Sequence, residues 1–294
     1  MSTFKKPVLG IIGGSGIYDL EEIKNTKWKN IESSFGKPSD YILHGNLYDL
    51  EVRFLPRHGR GHVLSPSDIN YKANIDALKR SGTTDIISLS AVGSLKEELP
   101  PGSFVLVDQY IDRTFMRETS FFGKGCVAHV SFAHPTSKQL NKAIVNSCNQ
   151  SRIPLHEGGT YLAMEGPQFS TLAESNLYRS WGCSIIGMTN LPEAKLAREA
   201  ELGYSSVAMV TDYDCWHPNH EAVTVEQIVK VLTENAEKAK YLIKSLTQFI
   251  ANLEWNWDDQ VYKALDHAII TPPEKRDPKL IKKLEIILGR VTGN

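Results

Sequence analysis

Arg57-His58-Gly59-Arg60-Gly61-His62 places four potential cations in one short stretch spaced by glycine. Arginine presents a fork of N–H donors that matches phosphate, so the stretch suits a bound oxyanion, with a solvated basic loop as the alternative. Gly13-Gly14-Ser15-Gly16 is a second anion-compatible segment, because backbone N–H groups and the Ser15 hydroxyl can close on a phosphate. It lacks the third glycine of G-x-G-x-x-G and the lysine of a P-loop, and a plain tight turn fits it equally well. Ser90-Ala91-Val92-Gly93-Ser94 and Met188-Thr189-Asn190 add small and hydroxylic residues. The four segments together outline a phosphate-sized pocket of hydroxyls, backbone donors and Arg57, with no nearby acidic cluster for magnesium. A separate acidic pair stands in Thr211-Asp212-Tyr213-Asp214-Cys215-Trp216. Asp212 and Asp214 could bind metal, hydrogen-bond a ligand, cap a helix or lie in a surface loop. A carboxyl group in an apolar setting beside Trp216 would have a raised pKa and could deliver a proton.

These segments can act together only if the fold gathers them, and each follows an apolar run. Pro7 to Ile12, Asp85 to Ser90, Phe104 to Ile111, Thr160 to Met164, Ile185 to Met188 and Val207 to Thr211 read as buried strands. Tyr41 to His44 and Leu50 to Leu55 read as a hairpin turning at Gly45-Asn46. Helical spacing appears over Asn70 to Ser81, Leu172 to Trp181 and Pro192 to Leu202. It is most sustained over Val225 to Leu253, about 43 Å of helix, for which a coiled coil is the competing reading. Strands alternating with helices predict an α/β fold, a single domain with a mixed central β-sheet flanked by helices. In such sheets ligands bind at the carboxyl ends of strands, where all these segments fall. We divide the chain into a main unit, 1–253, and a C-terminal extension, 254–294. The extension holds Trp255 and Trp257 and turns basic after Pro272-Pro273; a docked helix and a mobile tail are both compatible with it.

Composition narrows the function classes. The 294 residues carry 33 Lys+Arg against 34 Asp+Glu, a formal net charge of -1, which argues against a nucleic-acid partner. No apolar run reaches the ~18 residues of a membrane span, and the N-terminus lacks the pattern of a signal peptide. Cys126, Cys148, Cys183 and Cys215 show neither disulfide-framework nor metal-ligand spacing and read as reduced core residues of a cytoplasmic protein.

Several motifs resemble one family in order and spacing. They are Ile11-Ile12-Gly13-Gly14-Ser15-Gly16, Arg57-His58-Gly59-Arg60, Asn70-Tyr71-Lys72-Ala73-Asn74-Ile75, Glu165-Gly166-Pro167-Gln168-Phe169-Ser170, Met188-Thr189-Asn190-Leu191-Pro192-Glu193 and Thr211-Asp212-Tyr213-Asp214-Cys215-Trp216. From about Pro7 to Leu253 the chain resembles the trimeric purine nucleoside phosphorylases, and within them the branch that cleaves 5'-methylthioadenosine; the tail matches poorly. The resemblance implies a cytoplasmic homotrimer of purine and methionine salvage that attacks C1' of a nucleoside with inorganic phosphate. It implies no cofactor beyond that co-substrate, no metal, no nucleic acid and no membrane. Ser15, Arg57, His58, Ser90, Ala91 and Thr189 match the family's phosphate positions. Met188 matches the residue under the ribose, Phe169 the ring against the purine, and Asp212 and Asp214 the carboxylates at the base. Asp212 is thereby the catalytic residue, assisting purine departure at N7. Val225, and His129 reaching in from a neighbouring subunit, match positions at the 5' end of the sugar, where Ile269 or Ile270 of the tail aligns loosely. Two aspartates favour a 6-aminopurine; the alternative is a phosphorylase of 5'-methylthioinosine, inosine or guanosine.

Overall fold

The computed structural model describes residues 5–14, 20–218 and 225–292. The strands are β1 (Leu9–Gly13), β2 (Lys24–Lys29), β3 (Ile42–Leu47), β4 (Leu50–Pro56), β5 (Asp85–Ser94), β6 (Phe104–Leu106), β7 (Gln109–Arg113), β8 (Leu155–Glu157), β9 (Thr160–Met164), β10 (Ile185–Gly187) and β11 (Gly203–Asp212). The helices are α1 (Tyr71–Arg80), α2 (Lys138–Ser151), α3 (Leu172–Ser180), α4 (Asn190–Glu199), α5 (Val225–Ala251), α6 (Pro278–Lys283) and α7 (Glu285–Thr292). The strands form one mixed sheet in the order β2-β3-β4-β1-β5-β10-β9-β7, and β11 branches from β5 to carry β6 and β8.

Both faces of the sheet are covered, so its central strands carry apolar residues toward both sides, interrupted by small polar ones such as Ser88, Ser90, Ser205 and Ser206. Ile12, Ile86 and Ala208 face one core with α1, α4 and α7. Their neighbours Ile11, Ile87 and Val207 face the other with α2 and α5. On α5, Leu242, Ile243, Leu246 and Ile250 are fully buried against the sheet, so its stripe serves the core and not a coiled coil.

β5 is the strand that makes room for a site. Its pairing with β1 stops at Ser88, and its pairing with β10 starts at Gly93. Between them one edge of the strand is released while the other stays on β11. Ala91, in this interval, is the one exposed residue of an otherwise covered strand.

Three local expectations are corrected. β3 runs through Gly45 and Asn46, and the hairpin turns at Tyr48 and Asp49, both at positive φ. Gly45 is needed for close approach instead: a Cβ there would lie 2.4 Å from the Ile23 side chain. The run Phe104 to Ile111 is two strands, because the chain leaves β11 after Leu106 and joins β9 at Gln109, with Asp108 accepting the Gly159 N–H at 3.0 Å. Cys126, Cys148 and Cys183 are buried, but Cys215 is only half-buried. The tail is docked: Trp255 enters one core, and Leu265, Leu284, Ile287 and Leu288 enter the other.

Candidate active site

Arg57 follows β4 and is anchored by its own N–H to the Gly13 carbonyl at 3.0 Å, which ties the ends of β4 and β1 together. Its side chain is 2% exposed and is already engaged. Nε and Nη2 donate to Glu193 at 2.9 and 3.1 Å, Nη2 donates to Ser88 Oγ at 2.6 Å, and Nη1 donates to the Leu89 carbonyl at 2.9 Å. The last bond occupies the released edge of β5. A guanidinium has five N–H groups, so one Nη1 N–H has no partner among the described residues. Glu193 also accepts from Tyr204 Oη at 2.8 Å and Ser88 Oγ at 2.7 Å. Arg57 is therefore half of a neutralised ion pair, not the bare cation expected from the motif.

His58 is the second residue of the cationic motif, yet burial and the charge of Arg57 push its pKa down to about 4. Its Nδ1 lies 2.9 Å from the Leu64 carbonyl. A carbonyl can only accept, so Nδ1 carries the proton and Nε2 of the neutral ring is an acceptor. Ser90 Oγ lies 3.2 Å from Asn190 Oδ1. Asn190, wholly buried, thus orients the Ser90 hydroxyl. Thr189 N–H points to Tyr161 Oη at 3.4 Å. Met188 packs on Gly166, where a Cβ would meet its Sδ at 2.4 Å.

The carboxylates stand at the end of β11. Asp212 leans over β5, with Oδ1 2.9 Å from where a Cβ on Gly93 would be. Its Oδ1 accepts the Asp214 N–H at 2.8 Å, and its Oδ2 lies 2.7 Å from the Thr211 hydroxyl. That hydroxyl also lies 3.2 Å from the Val92 carbonyl. When its proton goes to Val92, its oxygen can accept from a protonated Asp212, so the geometry serves both states of the acid. Burial raises the pKa of Asp212 against the pull of these two donors. Asp214 is raised as well, by burial first and by the charge of Asp212 in addition. Asp214 is buried and Asp212 half-buried, so the pair is not in a solvated surface loop. Phe169, half exposed, stands beyond Ser170, whose carbonyl lies 3.3 Å from Cys215 Sγ.

Arg57, His58, Met188, Thr189, Asp212 and Asp214 stand at strand ends around the released stretch of β5, whereas Ser90 and Ala91 lie within that strand, which runs on to Ser94 instead of ending at Ser90. Ser15 and the Val225 side chain lie outside the described residues. His129 is not with them. It is exposed, donates its N–H to the Ala268 carbonyl at 2.9 Å, and lines a separate cleft of about 710 Å³ with His134, Arg198 and His267. Beside it Ala128 bridges to Ile269, and Ile270 is 64% exposed. Sequence reasoning missed the working parts of Glu193, Glu165 and Arg117. Both glutamates stood inside quoted motifs, and their signal was a carboxylate set among residues that face a core. Among the described residues no three His, Cys, Asp or Glu side chains form a metal-holding group, and no helix is long and apolar enough to cross a membrane.

A family model described as the phosphorylase superfamily matches residues 8–248. The chain is 59% identical over 290 residues to the S-methyl-5'-thioadenosine phosphorylase of Rhodospirillum rubrum, covering 99% of both chains. Its structure is similar to a methylthioadenosine phosphorylase from an Antarctic soil metagenomic library, with a TM-score of 0.91, 44% identity, and coverage of 96% of this chain and 99% of the other. It is also similar to the methylthioadenosine phosphorylase of Schistosoma mansoni in complex with adenine, with a TM-score of 0.83, 33% identity, and coverage of 88% and 96%.

Proposed function

Because the chain belongs to the phosphorylase superfamily, we propose that it converts 5'-methylthioadenosine and inorganic phosphate to adenine and 5-methylthioribose 1-phosphate. The observation that carries this reading is the pairing of two pockets on one strand. Ala91 opens the donor-lined pocket, and Gly93 underlies Asp212. Residues two apart share one face of a strand about 6–7 Å apart, close enough for one ribose to bridge a phosphate and a purine.

In this mechanism a phosphate oxygen attacks C1', the C1'–N9 bond breaks, and its electron pair passes into the purine. Ser15, Ser90, Thr189, the Ala91 backbone and the remaining Arg57 N–H bind the phosphate. Neutral His58 accepts from a protonated phosphate oxygen through Nε2. With Glu193 balancing Arg57, the anion is held by hydrogen bonds and keeps its charge next to the cationic sugar of the transition state. Asp212, its pKa raised by burial, supplies the proton to N7, a role that general acid catalysis makes worth ~10²–10⁴ in rate. Asp214 accepts from the 6-amino group. Met188 packs under the ribose and Phe169 against the base. No cofactor beyond phosphate is needed.

The 5' end of the sugar is completed by Val225 and, from a neighbouring subunit of a homotrimer, by His129 with Ile270 beside it. Exposure of both His129 and Ile270 away from their own site supports that exchange. We assign catalysis to residues 1–253, with 254–294 as an extension, and place the enzyme in cytoplasmic purine and methionine salvage. Product analysis over a nucleoside panel tests the reading: adenine is expected from methylthioadenosine, and faster release of hypoxanthine from methylthioinosine would overturn it.

A further inference from the structure

Arg117 lies in the loop after β7, outside every motif that pointed to the site, and its side chain is 1% exposed. Its Nε donates to Glu165 Oε1 at 3.2 Å and its Nη2 to the Glu165 carbonyl at 2.8 Å. Nη1 donates to the Met188 carbonyl and, at 2.7 Å, to that of Leu191. These two carbonyls bracket Thr189. Nη2 also reaches Ser67 Oγ at 3.4 Å, and Ser67 in turn donates to Glu165. Ser67 closes the loop that begins at His58, and Glu165 begins the segment that leads to Phe169.

We infer that Arg117 is a positioning residue that holds three loops in register, those carrying His58, Phe169 and Met188-Thr189, without touching substrate itself. The inference rests on the proposed function only for what those loops bind. Its physical basis is the fork. A planar guanidinium has five N–H groups and can serve these five acceptors in fixed directions, whereas an ammonium on a flexible stem has only three. Glu165 makes the buried charge tolerable and is held in turn by the N–H groups of Phe115 and Met116 at 2.7 and 3.2 Å. The loop that delivers Arg117 is thus tied to the loop that Arg117 organises.

Arg117→Lys keeps a cation beside Glu165, and two readouts test it. Amide hydrogen exchange of the ligand-free protein should quicken about tenfold or more in residues 58–67, 165–170 and 188–191 together, the scale set by losing a charged hydrogen bond. Turnover of methylthioadenosine with phosphate should lose about 10²-fold in kcat/KM, the scale of a misplaced site, with KM for both substrates affected. Faster exchange confined to 113–118, or wild-type kcat/KM in the folded variant, would overturn the inference. So would an activity loss that merely tracks the unfolded fraction. If the single variant does not fold, Arg117→Gln with Glu165→Gln removes both charges and is read the same way. A wild-type enzyme without phosphorolytic turnover would refute the functional reading instead, while the exchange pattern still judges Arg117.

Discussion

Asp212 and Arg57 are of opposite charge type, and the surroundings of each modify its charge. For Asp212 the modification is loss of solvent, which favours the protonated acid. Asp212→Asn preserves size and hydrogen bonding to Thr211 but cannot give a proton. Steady-state kinetics should show kcat for methylthioadenosine lowered by about 10²–10⁴, with KM for phosphate nearly unchanged. Equal losses in both would place Asp212 in phosphate binding. For Arg57 the neighbour is Glu193. Glu193→Gln leaves a buried guanidinium uncompensated, so thermal or denaturant unfolding should show a loss of about 3–5 kcal/mol. The same variant exposes a fuller positive charge to the anion, and the folded fraction should bind phosphate more tightly. Weaker binding would mean that Glu193 chiefly aims the arginine. The cationic motif was legible in the sequence, but its neutralisation was not. Glu193 is 136 residues from Arg57, and only the closure of α4 over β5 makes them neighbours.

The C-terminal extension shows what docking of an element adds. Tyr262 Oη donates to buried Asp85 Oδ1 at 2.7 Å and accepts from Trp255 Nε1 at 2.8 Å, pinning the tail to the first residue of β5. Leu284 is fully buried, and Leu284→Ala should lower unfolding stability by about 2–5 kcal/mol. A mobile tail would show no change. The Asp85 contact adds a pH signature. Burial raises its pKa from 3.8 to about 6, so between these values the folded state holds the proton more firmly than the unfolded one. Stability contributed at this site is then present at low pH and lost as pH rises toward 6. Relative to wild type, Asp85→Asn should gain in melting temperature from pH 4 to 6 and level off above. A constant difference would argue against burial as the cause. The central strands of the sheet were legible because their side chains are mostly apolar and buried on both faces. The charged edge strand β2, KNTKWK, was not, because an exposed edge carries no such period. The tail was undecided because its few buried residues are separated by exposed charges, and what they pack against lies far away in the chain.

At the scale of the molecule, near-neutral charge agrees with a small ligand held by local groups: a balanced ion pair at one end and a protonatable acid at the other. The proposed exchange of His129 and Ile270 between subunits requires assembly. Light scattering should return the mass of three chains, and His129→Ala should raise KM for methylthioadenosine far more than for phosphate. A fully active monomer would remove the shared site. Product formation at varied phosphate decides whether phosphate is the nucleophile toward a methylthio-substituted adenine nucleoside. Adenine and 5-methylthioribose 1-phosphate are expected in equal amounts, with a rate that saturates in phosphate and vanishes without it. Adenine released at an undiminished rate in phosphate-free buffer, with free methylthioribose as the second product, would contradict phosphorolysis.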